Sequence, residues 1–158
     1  MIRAPWVAAG IAIGLLGCGY SVTHIPTPAG GARPVGPETV LTFHARAEAF
    51  YVRLLDKRFN ALETFNDPFL RRHFSSEDRF FDYYASLAEA FDEARFEHSR
   101  PWSVEVEEYV FEGPGRVFVQ VRFRGDDSRP LRPNSSTFVQ LDVWEQRDDD
   151  WWIIPGKL

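Results

Sequence analysis

The chain has one cysteine, two lysines (Lys57 and Lys157) and no apolar run that approaches the ~20 residues a bilayer-spanning helix needs. A single cysteine excludes an internal disulfide and a thiolate metal cage. Basic residues number 18 against 23 acidic ones, for a formal net charge of −5, and no Lys/Arg run occurs. A nucleic-acid backbone therefore finds no basic surface. There is no Gly-rich phosphate loop, nucleophile elbow or HExxH pair. The sequence thus specifies no reaction and calls for no cofactor. What it has in plenty is aromatic material for a core: 14 Phe, 5 Trp and 5 Tyr.

The cysteine stands in an informative place. Arg3 precedes an apolar stretch from Trp6 to Leu16, too short to span a bilayer and well sized for the h-region of a signal peptide. The stretch ends in Leu15-Leu16-Gly17-Cys18. This resembles the bacterial lipobox, Leu–x–Gly/Ala–Cys, whose thiol is joined to diacylglycerol. The resemblance covers residues 1–18 and implies that residues 1–17 are a lipoprotein signal peptide. It also implies that acylated Cys18 anchors the chain in the cell envelope, facing the periplasm. Two or three acyl chains, palmitate among them, hold a protein durably where one holds it only marginally. Gly19 follows the cysteine in place of the Asp associated with inner-membrane retention, which favours the outer membrane. The other readings are an ordinary secreted protein with an incidental cysteine, or a buried N-terminal helix.

Residues 18–37 form a tether. Pro26, Pro28, Pro34 and Pro37 alternate with Gly30, Gly31 and Gly36, and repeated proline blocks both helix and ladder bonds. The stretch reaches about 55 Å if polyproline-like and about 25 Å as a coil, enough to lift a domain clear of lipid headgroups.

Residues 38–158 read as one folded domain. Val40, Phe43, Ala47, Phe50 and Leu54 recur at helical spacing, widened by Tyr51, Leu55, Phe59 and Leu62, so a long amphipathic helix is expected over about 38–63. Asp67 followed by Pro68 predicts a capped short helix over 68–73. Ser75 with Asp78 predicts the start of a helix over about 76–97. After Pro101 the period switches to two. Strands are expected from Trp102 to Phe111 with a bulge near Glu107–Glu108, then from Arg116 to Arg124, over about 136–146, and at Trp151–Ile154. Short connections imply an antiparallel meander. The expected class is α+β: N-terminal helices packed on a curved, cone-like antiparallel sheet of about four strands.

The "AFYVRLLDKRFNALETFNDPF" helix pair and the closing "VWEQRDDDWWIIP" hairpin resemble the nuclear transport factor 2-like (cystatin-like cone) superfamily across about residues 38–158. Many members insert a strand or hairpin between the second and third helices. Here only "RHFSS" is available, which limits the sheet to four main strands. The superfamily includes isomerases, dehydratases, epoxide hydrolases, transport adaptors and non-catalytic envelope domains, so function rests on the site.

Three residues invite a catalytic reading. His44 and Tyr51 lie seven apart on the first helix and suit a general base with a phenol donor, though an edge histidine and a core tyrosine is the favoured reading, since spacing alone supplies no proton-transfer geometry. Asp142 alternates with Val139, Leu141 and Val143; if those three face the helices, Asp142 points outward beside Arg122. Phe118, Phe138 and Trp144 share that parity and would form a mixed aromatic and polar outer face suited to a homodimer or an envelope protein partner. The acidic clusters Asp126–Asp127 and Asp148–Asp150 lack the alternating ligands and glycine turn of a calcium loop. They read as solvated turns, with no metal expected. "RRH" (71–73) reads as exposed polar residues. The favoured function is therefore a lipid-anchored, non-catalytic binding or assembly module for a protein partner or small apolar ligand. The alternatives are an isomerase- or dehydratase-like enzyme using a pocket between helices and sheet, and a structural lipoprotein of an envelope machine.

Overall fold

A computed structural model describes residues 35–56, 58–129 and 134–156. The Cys18 lipidation sequence and the tether up to residue 34 lie outside the described residues. The described chain is α+β, with helices packed on a curled, cone-like antiparallel sheet of four strands. Helices come first: α1 (Pro37–Asp56), α2 (Leu62–Phe65), α3 (Pro68–Arg71) and α4 (Glu77–Glu93). The strands β1 (Phe96–Phe111), β2 (Arg116–Asp127), β3 (Ser135–Arg147) and β4 (Asp150–Ile154) follow and pair in sequence order as a meander. No helix among the described residues is long and apolar enough to cross a membrane.

Pro37 opens α1, where a missing N–H costs nothing. The helix buries Phe43, Ala47, Phe50, Tyr51 and Leu54, the stripe that its spacing predicts. It ends seven residues earlier than the periodicity implies. Arg58 and Asn60 turn into the left-handed region, and the Asn60 N–H donates to the Tyr84 hydroxyl at 2.7 Å. The turn carries Phe59 inward to stack on Tyr84 at 4.6 Å, so tertiary packing overrides the helical continuation. Asp67 caps α3 by accepting from the Phe69 N–H at 2.8 Å, and its other oxygen holds Arg53 at 2.8 Å. Ser76, not Ser75, caps α4, accepting from the Arg79 N–H at 3.3 Å.

β1 begins at Phe96, before the proline that the period change marked. Its pairing with β2 shifts register at three places, one of them between Val106 and Glu108 where the parity change predicts a bulge. Gly125 sits where Phe96 presses on the sheet; a Cβ there would lie 2.9 Å from the Phe96 ring. The β3–β4 hairpin turns on Asp148 and Asp149, both at positive φ, as a two-residue loop matching the strand twist requires. That turn fixes Arg147 opposite Asp150 and Trp144 opposite Ile153.

The space between helices and sheet is filled by side chains. Phe43, Phe50 and Trp144 meet edge to face with centroids 5.6–5.7 Å apart, and Phe91 lies 4.9 Å from Phe123. The sheet contributes Val117, Val119, Val121 and Phe123 from β2, Trp144 from β3, and Trp151 and Ile153 from β4.

Candidate functional site

The pairing register decides which face of β3 is inside. Val119 pairs with Asp142, Val117 with Trp144 and Phe123 with Phe138. Those β2 residues are wholly buried, so Phe138, Gln140, Asp142 and Trp144 face the helices, while Val139, Leu141 and Val143 face outward. This corrects the expectation that Asp142 points outward beside Arg122. It also dissolves the expected partner face of Phe118, Phe138 and Trp144. Trp144 is 0 % exposed, Phe138 packs against the core, and only Phe118 lies on the outer face, opposite Val143. The physical reason is partners from distant elements: Phe43 and Phe50 of α1 pack on Trp144, and the Tyr51 and Tyr83 hydroxyls satisfy Asp142, so this face can be buried with its carboxylate.

Burying Asp142 requires partners for its carboxylate, and two helices supply them. Tyr51 on α1 donates to Oδ2 at 2.6 Å and Tyr83 on α4 donates to the same oxygen at 2.8 Å. The Gln140 amide donates to Oδ1 at 2.6 Å. Trp144 Nε1 donates to the Tyr51 oxygen at 3.2 Å, which orients that phenol towards the carboxylate. Asp142 is 4 % exposed. Burial raises its pKa above the ordinary 3.8, opposed by the hydrogen bonds from Tyr51, Gln140 and Tyr83. Burial and then the neighbouring carboxylate push both phenols well above 10, so they remain donors.

Sequence spacing places His44 with Tyr51, but the structure separates them functionally. His44 sits on the rim of α1, its ring 5.6 Å from Tyr109 and its Nε2 3.9 Å from Glu48. Tyr51 turns inward to Asp142. Of the three catalytic candidates, two come together and His44 does not join them. Tyr83 and Gln140 complete the cluster. Gln140 shares the i, i+2 parity with Asp142, a signal the sequence carries; nothing local in the sequence marks Tyr83 for this cluster.

A cleft of about 480 Å³ opens beside this cluster, where β4 stops and β3 continues. Its lining includes Tyr83 and Ser86 of α4, Arg116 of β2, Gln140 and Asp142 of β3, and Ile154 and Pro155 at the end of β4. The cleft reaches one side of the polar cluster and does not extend into the aromatic interior, where Phe43, Phe50, Phe80 and Phe91 are 0 % exposed.

His73, expected to be exposed, is buried at 1 %. Its Nδ1 bonds the Phe69 carbonyl at 2.8 Å and its ring packs against Phe50 and Trp144. Its neighbours do not form an anion site: Arg71 pairs with Glu77 and with Asn66, and Arg72 lies over the Phe69 ring. Burial, then the Arg46 charge, lower the His73 pKa from 6.5 to about 4. The folded state therefore prefers the neutral ring. The stability this site supplies is complete above pH 6.5 and is lost as pH falls through 4. The shift corresponds to a loss on the order of 3 kcal/mol. A His73→Asn variant, whose amide can replace the Nδ1 donor, is expected to lack this acid-side loss when unfolding is measured from pH 7 to pH 4.

Asp127 also departs from the solvated-turn expectation, being 9 % exposed with Arg129 on its carboxylate. Asp150 pairs with Arg46 at 2.7 Å, and Asp148 and Asp149 are exposed in the hairpin turn. Among the described residues no group of three or more His, Cys, Asp or Glu side chains is placed to hold a metal ion.

Comparison of the chain with protein-family models, with curated proteins and with solved structures gives no match.

Proposed function

We propose that this chain is a lipid-anchored protein of the bacterial envelope whose folded domain is a non-catalytic binding module of the cone-like class. The observation that carries the non-catalytic reading is the filled interior. Aromatic rings occupy the volume between helices and sheet that a reaction chamber of this architecture would need. The buried carboxylate of Asp142 accepts hydrogen bonds from Tyr51, Tyr83 and Gln140. A general base must reach the proton it removes, and these partners stand in the way. The anchor rests on the Leu15-Leu16-Gly17-Cys18 sequence, and the outer membrane is favoured by Gly19.

Two measurements test the proposal. Cys18→Ser is expected to abolish lipid labelling and release the protein from membranes; unchanged membrane association contradicts the anchor. Crosslinking of the full chain in native membranes is expected to give a discrete adduct with a partner or a second copy. A strictly monomeric, adduct-free protein contradicts the binding module.

One observation favours a second reading. Asp142, with two phenols on its carboxylate, lies on the floor of an open cleft, as a small isomerase- or dehydratase-like site would require. That reading needs solvent and substrate to reach a carboxylate oxygen, a condition the Asp142 titration described below decides.

A further inference from the structure

The sheet has two edges, and they are built differently. β1 presents the first. It carries Pro101, Glu97, Glu105, Glu107 and Glu108, and its register with β2 breaks three times. Proline, charge and bulges keep an exposed edge from pairing. β3 presents the second. β4 pairs only from Val143 to Arg147 of β3, and among the described residues nothing pairs with residues 135–141 on that side. Pro155 stops β4 there, since it brings no N–H to the ladder. The segment left over, "SSTFVQL", has no charge, no proline and no bulge. Its inner-face residues Phe138 and Gln140 are only half-buried, whereas their β2 partners Phe123 and Val121 are wholly buried. An edge without any of these guards has the make-up of an inner strand.

The groups that await a partner can be assigned. The Gln146 N–H bonds the Gly115 carbonyl and the Asp127 N–H bonds the Asn134 carbonyl, so even-numbered residues of β3 bond β2. In an antiparallel ladder the alternate residues face the other way. Thr137, Val139 and Leu141 therefore aim N–H and C=O at the open edge.

Composition narrows the occupant among the parts of the chain outside the described residues. Residues 26–34 hold Pro26, Pro28 and Pro34, and residues 130–133 hold Pro130 and Pro133, so neither stretch can sustain a ladder. Residues 157–158 follow a strand that Pro155 has already ended. Residues 1–17 leave with the signal peptide, a step that rests on the lipobox reading. What is left is residues 19–25, "GYSVTHI". The stretch has no proline, Asp, Glu, Lys or Arg. Tyr20, Val22, Thr23 and Ile25 are the aromatic and β-branched types that fit a pleated sheet. Its lack of charge matches that of the edge.

The reach suffices. Residues 26–35 cover about 30 Å as a polyproline chain. Phe43 lies about 10 Å from the start of α1. It packs on Trp144 with centroids 5.6 Å apart, and Leu141 stands about 10 Å further down β3. A segment joined by so short a linker meets the edge at an effective concentration on the order of 1 mM. A second copy, or any other protein, meets it only at its own concentration.

We propose that residues 20–25 of this chain add to the open edge of β3 as a further strand, in line with β4. Backbone bonds to Thr137, Val139 and Leu141 hold the strand, and its inward side chains cover Phe138 and Gln140. Docking shortens the tether. With Cys18 acylated as proposed above, the strand begins beside the lipid, so the docked domain is held at the membrane surface. The undocked domain stands off by the length of the tether.

Amide exchange of the full-length chain in detergent micelles, followed residue by residue, tests this. Thr137, Val139 and Leu141 are expected to exchange at least tenfold more slowly in the parent than in a Val22→Pro/Thr23→Pro variant. Alternate amides from Tyr20 to Ile25 are expected to be slowed in the parent as well. Both substitutions lie outside the helices and the four strands, so the fold and the exchange of Val119 and Val121 should not change. Val22→Ile, which keeps a β-branched side chain, is expected to keep the protection. Fast exchange at the three edge amides of the parent overturns the proposal. Protection that the proline pair leaves intact overturns it too, and assigns the edge to another part of the chain. Protection that grows with protein concentration does the same and assigns the edge to a second copy. Unchanged membrane association of Cys18→Ser removes the anchor but leaves the exchange result as it stands, so the two readings fail separately.

Discussion

Trp144→Ala is expected to cost about 3–5 kcal/mol, a large fraction of the ~5–15 kcal/mol that holds a typical domain folded. This side chain ties β3 to α1 and to the segment after α3. Its ring is 0 % exposed and meets Phe43 and Phe50 of α1, His73 after α3, and Tyr51, whose hydroxyl it also holds through Nε1. Truncation removes that apolar burial, opens a cavity and leaves the Tyr51 phenol without its orienting donor. For a domain of this size the fall in Tm should exceed 10 °C. Thermal unfolding by circular dichroism reads the effect. A loss under 1 kcal/mol would mean that the interior is looser than the packing described above. The cavity should also accept indole, which fills the deleted volume, so added indole is expected to recover part of the lost Tm in the variant and none in the parent.

The second large effect is at Asp142, where the two obvious substitutions separate. Asp142→Ala leaves the Tyr51 and Tyr83 hydroxyls buried with no acceptor and is expected to cost about 2–4 kcal/mol. Asp142→Asn keeps an oxygen for both phenols, and Gln140 can present its carbonyl to the new amide, so the loss should be about 1 kcal/mol at most. The pH dependence has a definite sign. Burial raises the Asp142 pKa, so between 3.8 and the raised value the folded state holds a proton that the unfolded chain has released. Stability from this site falls as pH rises through that window and is level above it. Asp142→Asn does not titrate, so relative to the parent it gains stability as pH rises. His73 acts with the opposite sign on its own acid side, and only comparison of each variant with the parent separates the two.

The helices and the valine face of β2 were legible in the sequence because each presents one apolar period. Phe43 to Leu54 on α1 and Val117 to Phe123 on β2 have no competing face. β3 was not legible in the same way. Both of its faces carry apolar residues, Phe138 and Trp144 on one and Val139, Leu141 and Val143 on the other. An aspartate among the first set argued for placing that set in solvent. The partners that make burial of Asp142 tolerable, Tyr51 and Tyr83, lie 91 and 59 residues away on separate helices, and no local pattern announces them. The same holds for His73. Flanked by Arg71 and Arg72 it reads as a solvated loop, yet Ile153 of β4 donates its N–H to the His73 carbonyl at 2.8 Å, fastening the segment against the sheet. The early end of α1 follows the same logic, since it depends on Phe59 finding Tyr84 across the core. The proposed lipidation stands apart. It rests on a short contiguous sequence ending at Cys18, independent of any fold, and the domain that follows adds nothing to it.

We propose that the interior is sealed and that its carboxylate serves structure and not chemistry. A carbon-13 titration of the Asp142 carboxyl in the full-length chain, with exchange of the Tyr51 and Tyr83 hydroxyl protons followed in parallel, tests it most directly. A sealed interior gives one carboxyl transition above the ordinary 3.8 and hydroxyl protons that exchange slowly with solvent. A transition at the ordinary carboxylate value, with rapidly exchanging hydroxyls, would show water reaching the cluster through the cleft and would return Asp142 to the place of a reactive base.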